Sequence, residues 1–303
     1  MSKGADPVDT LSDEQLAEFI SQARLAGEGT GIRYSIGLTD SYVTKVYAKD
    51  HVLDVSCAVS KARGIGVRVP AIKRIVETED GYFEVVQERI RGQVLMDAWA
   101  DLGWCASIRL AFQLRGMVRR MRKLTSPTAG SLGTGICRSF WLEEYYGIPP
   151  HASPSVISSV VNFWQNLVSF RKEASKTPEQ HRQACAGPTK PEVGGLVFTH
   201  HDMAPRNIIL EEGTGKLWLI DWDESGWYPR YFEHAGMRNF HVPDSWGWLR
   251  ELRWNLFTLI ATGWYGKESA MLQHARTKAG RFPAARRFNI MSGATPSDRP
   301  VND

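Results

Sequence analysis

The chain has 303 residues, of which 43% are hydrophobic and 23% charged, and it is long enough for one two-lobed globular domain or two small domains. Its net charge of +4 is too small for a dedicated nucleic-acid-binding protein. The four cysteines are widely spaced without a C-x-x-C pair, the amino terminus is polar and acidic, and no apolar run is long enough to span a bilayer. We therefore expect a cytoplasmic protein without a disulfide framework, zinc site, signal peptide, membrane partner or nucleic-acid partner.

Residues 1–90 are predicted to form a β-rich lobe that begins with a helix. The helix covers residues 11–25 and opens with Ser12 and, three positions later, Gln15, which is close to a capping box; its plainest role is to prop the lobe. Lys45 lies in an alternating strand pattern, where a lone lysine is more often solvated than functional. Strands are predicted, in two hairpins, over residues 32–37, 42–47, 69–76 and 82–87.

Residues 91–280 are predicted to be mainly helical and to follow an extended connector over residues 87–92. Helices are predicted here over residues 107–124, 156–170, 228–240 and 245–261, and one more helix, over residues 51–62, belongs to the first lobe. The first long helix of this lobe has a basic face, which we interpret as solvated, and most of the eleven tryptophans are expected in the core. The polar stretch 171–195 is predicted to be a surface insertion. Residues 274–303 lose helical periodicity and are expected to be frayed, without regular structure, and residues 281–303 are expected to be a flexible tail.

The candidate site begins where an apolar run leads into a polar loop that contains Asp202. Two short apolar strands follow, and the turn between them, residues 211–216, contains two glycines that suit a hairpin. If the hairpin is centred near Thr214, Asn207 and Asp221 each lie seven positions from the centre and face each other. The local chain then gathers two carboxylates and one amide into a single pocket.

Such a set of side chains suits phosphoryl transfer, which needs positioning and charge neutralisation more than covalent catalysis. Asn207 and Asp221 offer the hard oxygen ligands that Mg²⁺ prefers, and Asp202 can accept or orient the proton of an attacking hydroxyl. The order His200-x-Asp202-x-x-x-x-Asn207, followed by Asp221, has the spacing of a kinase catalytic loop. A zinc or iron site at His200 and His201 is disfavoured, because no other His or Cys lies at helical spacing from them.

These residues also carry a resemblance to a known family. Residues 198–210, 220–223 and 226–233 resemble the aminoglycoside phosphotransferase-like family, most closely the branch abundant in fungi, and residues 92–99 match its Gly-x-x-Leu-x-x-x-Trp pattern. The resemblance covers most of the chain. It implies an α+β, protein-kinase-like fold with a small β-rich N-lobe and a larger, mainly helical C-lobe.

The resemblance further implies roles in the N-lobe. Lys45 would reach the nucleotide phosphates, and Asp54 would be the acid on the next helix that pairs with it, although a plain surface aspartate is as plausible. The connector backbone would meet the adenine edge between Glu88 and Ile90. The chain departs from the family at His201, where glycine is usual, and it lacks a complete glycine-rich phosphate loop.

Three neighbouring side chains have supporting roles in this interpretation. His200 is expected to brace the loop through hydrogen bonds, and Asp223 to do the same in preference to binding Mg²⁺. Arg206 would either touch a phosphate or pair with Asp223 or Glu224.

The first functional hypothesis is an enzyme that moves the γ-phosphoryl group of ATP or GTP, with Mg²⁺, to a hydroxyl of a small molecule, as a monomer or weak homodimer. The alternative is a catalytically impaired, kinase-like protein that binds a nucleotide or another ligand, since the glycine loop is missing, the sequence leaves the acidic partner of Lys45 open and His201 replaces glycine. A protein kinase is disfavoured, because residues 221–223 read Asp-Trp-Asp and no Ala-Pro-Glu segment follows. The sequence shows no acidic cluster that would select a polycationic acceptor.

Overall fold

The computed structural model describes residues 5–26, 35–142, 148–169, 171–172, 175–177, 179–180, 183 and 195–288. Most of the predicted insertion at 171–195 and the last part of the predicted tail, 289–303, lie outside these residues. The predicted α+β architecture of a small β-rich lobe and a larger, mainly helical lobe is confirmed.

The N-lobe is built on a four-stranded antiparallel sheet in the order β1-β2-β4-β3. Its strands are β1 (Ser35–Gly37), β2 (Tyr42–Tyr47), β3 (Ile72–Glu77) and β4 (Phe83–Glu88). Helix α3 (Lys49–Gly64) connects β2 to β3 and buries Val55, Ala58 and Val59 against the core. The sheet forms where alternating β-branched and aromatic residues were predicted to form strands.

Two amino-terminal helices support the sheet where one was predicted: α1 (Pro7–Thr10) and α2 (Asp13–Ala26). The capping box is present, because Gln15 N–H donates to the Ser12 hydroxyl over 3.2 Å and Ser12 N–H donates to the Gln15 side chain over 3.1 Å. Arg24 on α2 holds the buried Glu84 of β4 with two hydrogen bonds of 2.7 and 2.8 Å. The pair fastens α2 to the sheet.

The C-lobe packs its helices around clustered aromatic residues. The helices that the structure describes in full are α4 (Leu95–Ala98), α5 (Trp104–Met121), α6 (Pro154–Asn166), α7 (Tyr231–Gly236), α8 (Gly247–Thr262) and α9 (Gly266–Arg281). The ring of Trp99 lies 5.1 Å from that of Trp254 and 5.3 Å from that of Phe257. No helix among the described residues has both the length and the apolar character needed to cross a bilayer.

The prediction that regular structure is lost from residue 274 onward is wrong for the described part. Helix α9 continues to Arg281, and a short 3₁₀ helix follows over Pro283–Phe288. Leu272, Ala275 and Ala279 are buried against the helical core. One leucine and two alanines on one face of α9 thus supply its packing surface, and so few apolar residues give only a weak periodic pattern in the sequence.

Two further sheets, of three strands each, precede and follow the loop that contains Asp202. One pairs β5 (Gly92–Val94) with β8 (Ile208–Glu211) and β9 (Leu217–Leu219); the other pairs β6 (Thr125–Ser126) with β7 (Leu196–Thr199) and β10 (Gly226–Tyr228).

The predicted hairpin exists, but its register is offset by one residue. Ile208 pairs with Leu219, so Asn207 faces Ile220, whose N–H donates to the Asn207 carbonyl over 3.0 Å. The turn is shorter than a symmetric turn about Thr214, because Glu211 N–H closes it on the Lys216 carbonyl over 2.9 Å. Asp221 therefore lies one residue beyond the position facing Asn207.

Two glycines give a test of how closely β5 and β8 are packed. A Cβ at Gly92 would lie 2.2 Å from the Leu210 carbonyl oxygen, whereas a Cβ at Gly116, within α5, would meet no atom within 4 Å. Gly92→Ala should therefore lower the free energy of unfolding by about 1–3 kcal/mol. Gly116→Ala should raise it by about 0.5–1 kcal/mol, since alanine favours a helix interior. Urea unfolding followed by circular dichroism measures both, and a Gly92→Ala protein as stable as the wild type would contradict the close packing.

Candidate active site

A cleft of about 320 Å³ lies between the sheet of the N-lobe and the hairpin β8–β9. It brings together five of the predicted site residues, which are Lys45, Glu88, Ile90, Asn207 and Asp221. The walls include apolar side chains of both lobes, among them Val43, Ile209 and Trp222. Asp202 lies next to this cleft through its contact with Asn207.

Lys45 is the basic group that joins the two lobes within the cleft. Its Nζ donates to Asp221 Oδ1 over 2.8 Å and to Asp223 Oδ2 over 2.5 Å. The Tyr47 hydroxyl donates to the other oxygen of Asp223 over 2.7 Å. Trp222, between the two aspartates, is buried against Phe198. Alternation along this segment thus turns both carboxylates toward the lysine and the indole into the core.

The charges in this trio shift one another's ionisation. Burial alone would lower the pKa of Lys45, but the two carboxylates outweigh it and raise the pKa above its ordinary value. Burial opposes ionisation of Asp221 as well, yet Lys45 lowers its pKa. Burial and the neighbouring Asp221 charge raise the pKa of Asp223 to about 6. Asp221 is therefore the carboxylate that stays charged most readily.

The expected pairing of Asp54 with Lys45 is wrong. Asp54 is buried on α3 and accepts hydrogen bonds from the backbone N–H of Gly133 and Thr134 and from the Thr134 hydroxyl, over 3.2, 2.7 and 3.0 Å. Arg138 completes the set with a 3.0 Å ion pair. The shorter aspartate side chain is occupied by the loop beside it, and Asp54 braces that loop instead of lining the cleft.

Asp202 is half-buried and is held by two neighbours in the same loop. Arg206 donates to its two carboxylate oxygens over 2.9 and 2.6 Å. Asn207 Nδ2 donates to the Asp202 carboxylate over 2.8 Å and to its backbone carbonyl over 2.9 Å. Arg206 therefore pairs with Asp202 itself, and not with Asp223 or Glu224 as one of the sequence alternatives proposed.

His200 braces the loop as predicted. Its Nε2 lies 2.9 Å from the Ile220 carbonyl, which can only accept, so Nε2 carries the proton, and Nδ1 accepts the Asp202 N–H over 3.3 Å. Burial lowers the pKa of His200, which favours this neutral form. Glu233, also buried, accepts the backbone N–H groups of His200 and His201 over 2.9 and 3.3 Å. Burial raises the pKa of Glu233 to about 7.

His201 occupies a left-handed backbone conformation, with φ of 75°. Glycine adopts this conformation at no steric cost, which explains why glycine is usual at this position in the family that the sequence resembles. Here the imidazole packs in a buried space, 4.4 Å from the ring of Tyr228 and 5.3 Å from that of Phe232, and bonds the Ser139 hydroxyl over 2.8 Å. The loop keeps the glycine-like backbone shape while the side chain fills the core.

The oxygen atoms near Lys45 fit a divalent cation that keeps part of its water and phosphate shell. Asn207 directs its amide nitrogen to Asp202, and its Oδ1 accepts no hydrogen bond from a described residue. Asp221 also has a left-handed backbone, with φ of 64°, and presents its carboxylate to the cleft. Within the described part of the chain, no three His, Cys, Asp or Glu side chains form a complete metal cage. This open donor set suits Mg²⁺ better than Zn²⁺.

Sequence reasoning missed three contacts at this site. Tyr47 follows Lys45 by two positions on the same face of β2, so the two-residue period of a strand could have identified Tyr47 as a second hydrogen-bond partner of Asp223. The Arg206–Asp202 pair has the i,i+4 spacing of neighbouring side chains, although the segment is not an α-helix. Glu233 gave no local signal, since its partners lie 33 and 32 residues away.

The chain was compared with family models, curated proteins and solved structures. The family model described as "Phosphotransferase enzyme family" matches residues 57–255. No curated protein matches the sequence. Among solved structures, a complex of an APH(2″) aminoglycoside phosphotransferase with GDP and kanamycin is 15% identical, with 88% of each chain covered and a TM-score of 0.49. A ternary complex of the aminoglycoside phosphotransferase APH(4)-Ia with ADP and hygromycin B is 14% identical, with 90% of this chain and 98% of that chain covered and a TM-score of 0.45. At these identities and TM-scores the likenesses say nothing about the substrate of this chain.

The buried His201 predicts a specific dependence of stability on pH. Burial, with a smaller effect of His200, lowers its pKa to about 3 from an ordinary 6.5. Between these values only the unfolded chain binds the proton, so acidification from pH 6.5 destabilises the fold by up to about 1.4 kcal/mol per pH unit from this group. In the His201→Asn variant, asparagine tolerates the left-handed backbone and does not bind a proton in this pH range, so the contribution of His201 to the pH dependence is lost.

The free energy of unfolding should therefore fall less steeply with acidification in His201→Asn than in the wild type, as measured by urea unfolding between pH 7 and pH 4.5. Glu233 has a raised pKa and acts in the opposite direction, but it is present in both proteins and cancels in the comparison. Parallel pH profiles would contradict a neutral, buried imidazole.

Proposed function

We propose, since this chain belongs to the phosphotransferase enzyme family, that it transfers the γ-phosphoryl group of ATP or GTP to a hydroxyl of a small molecule. The observation that carries the proposal is the single cleft lined by Lys45, Asn207 and Asp221, with Asp202 bonded to Asn207 at its edge. Phosphoryl transfer from a triphosphate needs several groups in one place: a basic side chain for the phosphates, an amide and a carboxylate that bind the metal, and an acid that orients the hydroxyl.

The cleft offers a matching environment for a purine base at the connector between the lobes. Glu88 and Ile90 line the cleft there, together with apolar side chains such as Val43 and Ile209. The backbone N–H of Ile90 donates no hydrogen bond to a described residue, whereas that of Glu88 donates to Ala71 over 2.9 Å. Ile90 thus leaves a backbone donor for a base edge, with apolar surface around it to receive the ring.

Mg²⁺ would be held by Asn207 Oδ1 and the Asp221 carboxylate, beside the nucleotide phosphates. It supplies charge neutralisation and orientation of the phosphate oxygens when bound. Lys45 adds a second positive charge, and its two carboxylate partners fix its position before any nucleotide arrives. Pre-organised charges of this kind stabilise a transition state without reorganisation.

Asp202 would orient the acceptor hydroxyl and take its proton. Arg206 and Asn207 fix the direction of the carboxylate. The Asp202 Oδ1 atom accepts a hydrogen bond from Arg206 alone among the described residues, so it retains a lone pair for an incoming hydroxyl. This arrangement aims the carboxylate and leaves it able to accept.

Removal of the Asp202 carboxylate tests its catalytic role. Asp202→Ala should lower nucleotide turnover by about 10²- to 10⁴-fold, because proton transfer and hydroxyl orientation are lost. Affinity for Mg-ATP should stay within a few-fold of the wild type, since Asp202 does not line the nucleotide cleft. Calorimetric titration and a coupled assay of ADP release, with water as the default acceptor, measure the two quantities.

Glu251→Gln, at an exposed carboxylate on α8, is the matched control and should behave as the wild type. Unchanged turnover in Asp202→Ala would contradict the assigned role. Mg-ATP binding without turnover in the wild type would instead favour a nucleotide-binding protein without catalysis.

The metal role of Asp221 has a separate test. In the presence of Mg²⁺, Asp221→Asn should weaken ATP binding by roughly tenfold or more, equivalent to about 1.4 kcal/mol. In excess EDTA the two proteins should bind ATP with similar, weak affinities, because the lost interaction depends on the metal. Equal weakening with and without Mg²⁺ would show that Asp221 acts through Lys45 and not through a cation.

A further inference from the structure

A second cavity, of about 470 Å³, lies between α7, the segment that follows it and α9. It is separate from the nucleotide cleft, and the two share no lining residue. Its walls include Trp141, Arg238, Asn239, Phe240, His241 and Gln273.

This cavity is connected to Asp202 through one side chain. Arg206 donates from Nη2 to the Asp202 carboxylate and from Nη1 to the carbonyl oxygen of Asn239, over 3.0 Å. Helix α7 also presses directly on the loop, since a Cβ at Gly236 would lie 2.3 Å from the His201 carbonyl oxygen and 3.5 Å from the Asp202 Cα. Ala235, adjacent to Gly236, lines the cavity. Asp202 is therefore linked through Arg206 to Asn239, which lines the second cavity, and through Asn207 to the nucleotide cleft.

The charged groups of this cavity are basic. Arg238 is exposed, and its guanidinium makes no ion pair or hydrogen bond with a described residue. His241 is also exposed at the rim. None of the described residues that line the cavity is an aspartate or glutamate. An arginine without a protein partner is a ready bidentate site for a carboxylate or phosphate group.

The remaining lining groups suit a hydroxylated molecule of moderate size. Asn239 and Gln273 carry amides that can both donate to and accept from hydroxyl groups. Trp141 and Phe240 add aromatic surface for the carbon skeleton. A polycationic acceptor would face the positive charge of Arg238 with no described lining carboxylate to offset it, which is unfavourable at short range.

We propose that this cavity is the acceptor site and that the acceptor is a hydroxyl compound bearing an anionic group, a carboxylate or a phosphate, held by Arg238. The proposal rests on the proposed phosphotransferase function. The acceptor oxygen forms a bond to the γ-phosphorus, and the bond from that phosphorus to the bridging oxygen breaks with its electron pair staying on the nucleoside diphosphate. The hydroxyl proton passes to Asp202.

The test compares acceptors that share a skeleton and differ in charge. The three-carbon set contains glycerate, glycerol 3-phosphate, glycerol and 2-amino-1,3-propanediol; the six-carbon set contains glucuronate, glucose and glucosamine. ADP release with Mg-ATP is measured for each compound, and the phosphorylated product is identified by mass spectrometry. In at least one set the anion should have a kcat/KM about tenfold or more above those of the neutral and cationic members, and the two three-carbon anions distinguish carboxylate from phosphate recognition.

The matched variants assign the preference to the cavity. Arg238→Gln removes the charge at an exposed position and keeps hydrogen-bonding capacity, so it should raise KM for the anion at least fivefold and leave KM for ATP unchanged. Arg119→Gln removes the same charge from an exposed position of α5 that lines neither cavity, and it should behave as the wild type.

The outcomes separate this proposal from the one on which it rests. Preference for the neutral or cationic members, an unaltered anion preference in Arg238→Gln, or no acceptor turnover in either set beside measurable ATP hydrolysis would each overturn the acceptor proposal alone. Absence of both Mg-ATP binding and ATP hydrolysis in the wild type would overturn the phosphotransferase function itself.

Discussion

The contact of Lys45 with Asp221 and Asp223 is the interaction on which the cleft depends. It joins a strand of the N-lobe to the segment after β9 in the C-lobe, across 176 and 178 residues of sequence. Two carboxylates that face the same space repel each other, and the lysine offsets that repulsion. The Tyr47 hydroxyl fixes the remaining oxygen of Asp223 and leaves Asp221 as the more accessible partner. The trio thus sets a positive and a negative group side by side, the pair that the proposed function would use for a phosphate and its metal.

The loop around Asp202 is held by buried polar groups as much as by its own sequence. Buried backbone N–H groups outside helices and strands need other acceptors, and the buried carboxylate of Glu233 accepts hydrogen bonds from those of His200 and His201. The resulting path of the chain requires a left-handed residue, and His201 supplies it while filling the space next to Tyr228. The replacement of glycine there is compatible with an intact loop, which removes one of the three reasons for suspecting an impaired enzyme.

Arg206 gives the site its asymmetry. On one side of Asp202, Asn207 connects to the cleft with Lys45; on the other, Arg206 connects to the carbonyl of Asn239 and the second cavity. Asp202 is thus bonded to Asn207 of the first cavity and linked through Arg206 to Asn239 of the second, which is the arrangement that the acceptor proposal uses. The same arginine ties the direction of the Asp202 carboxylate to the position of the segment after α7.

The α+β class was expected from the family resemblance of residues 198–210, 220–223 and 226–233. The sequence by itself determined the element types and the grouping of Asp202, Asn207 and Asp221, because hydrophobic period, turn residues and short-range spacing are local properties. Even there, the one-residue offset of the hairpin, which places Ile220 opposite Asn207, followed from a turn closed by Glu211 and Lys216. Only the tertiary structure decided that Asp54 binds the loop at Gly133 and Thr134, that Asp223 shares Lys45, and that Glu233 holds the loop. Each of these contacts joins segments far apart in sequence, and the choice among competing partners for a buried charge depends on distance and desolvation, which no local pattern encodes.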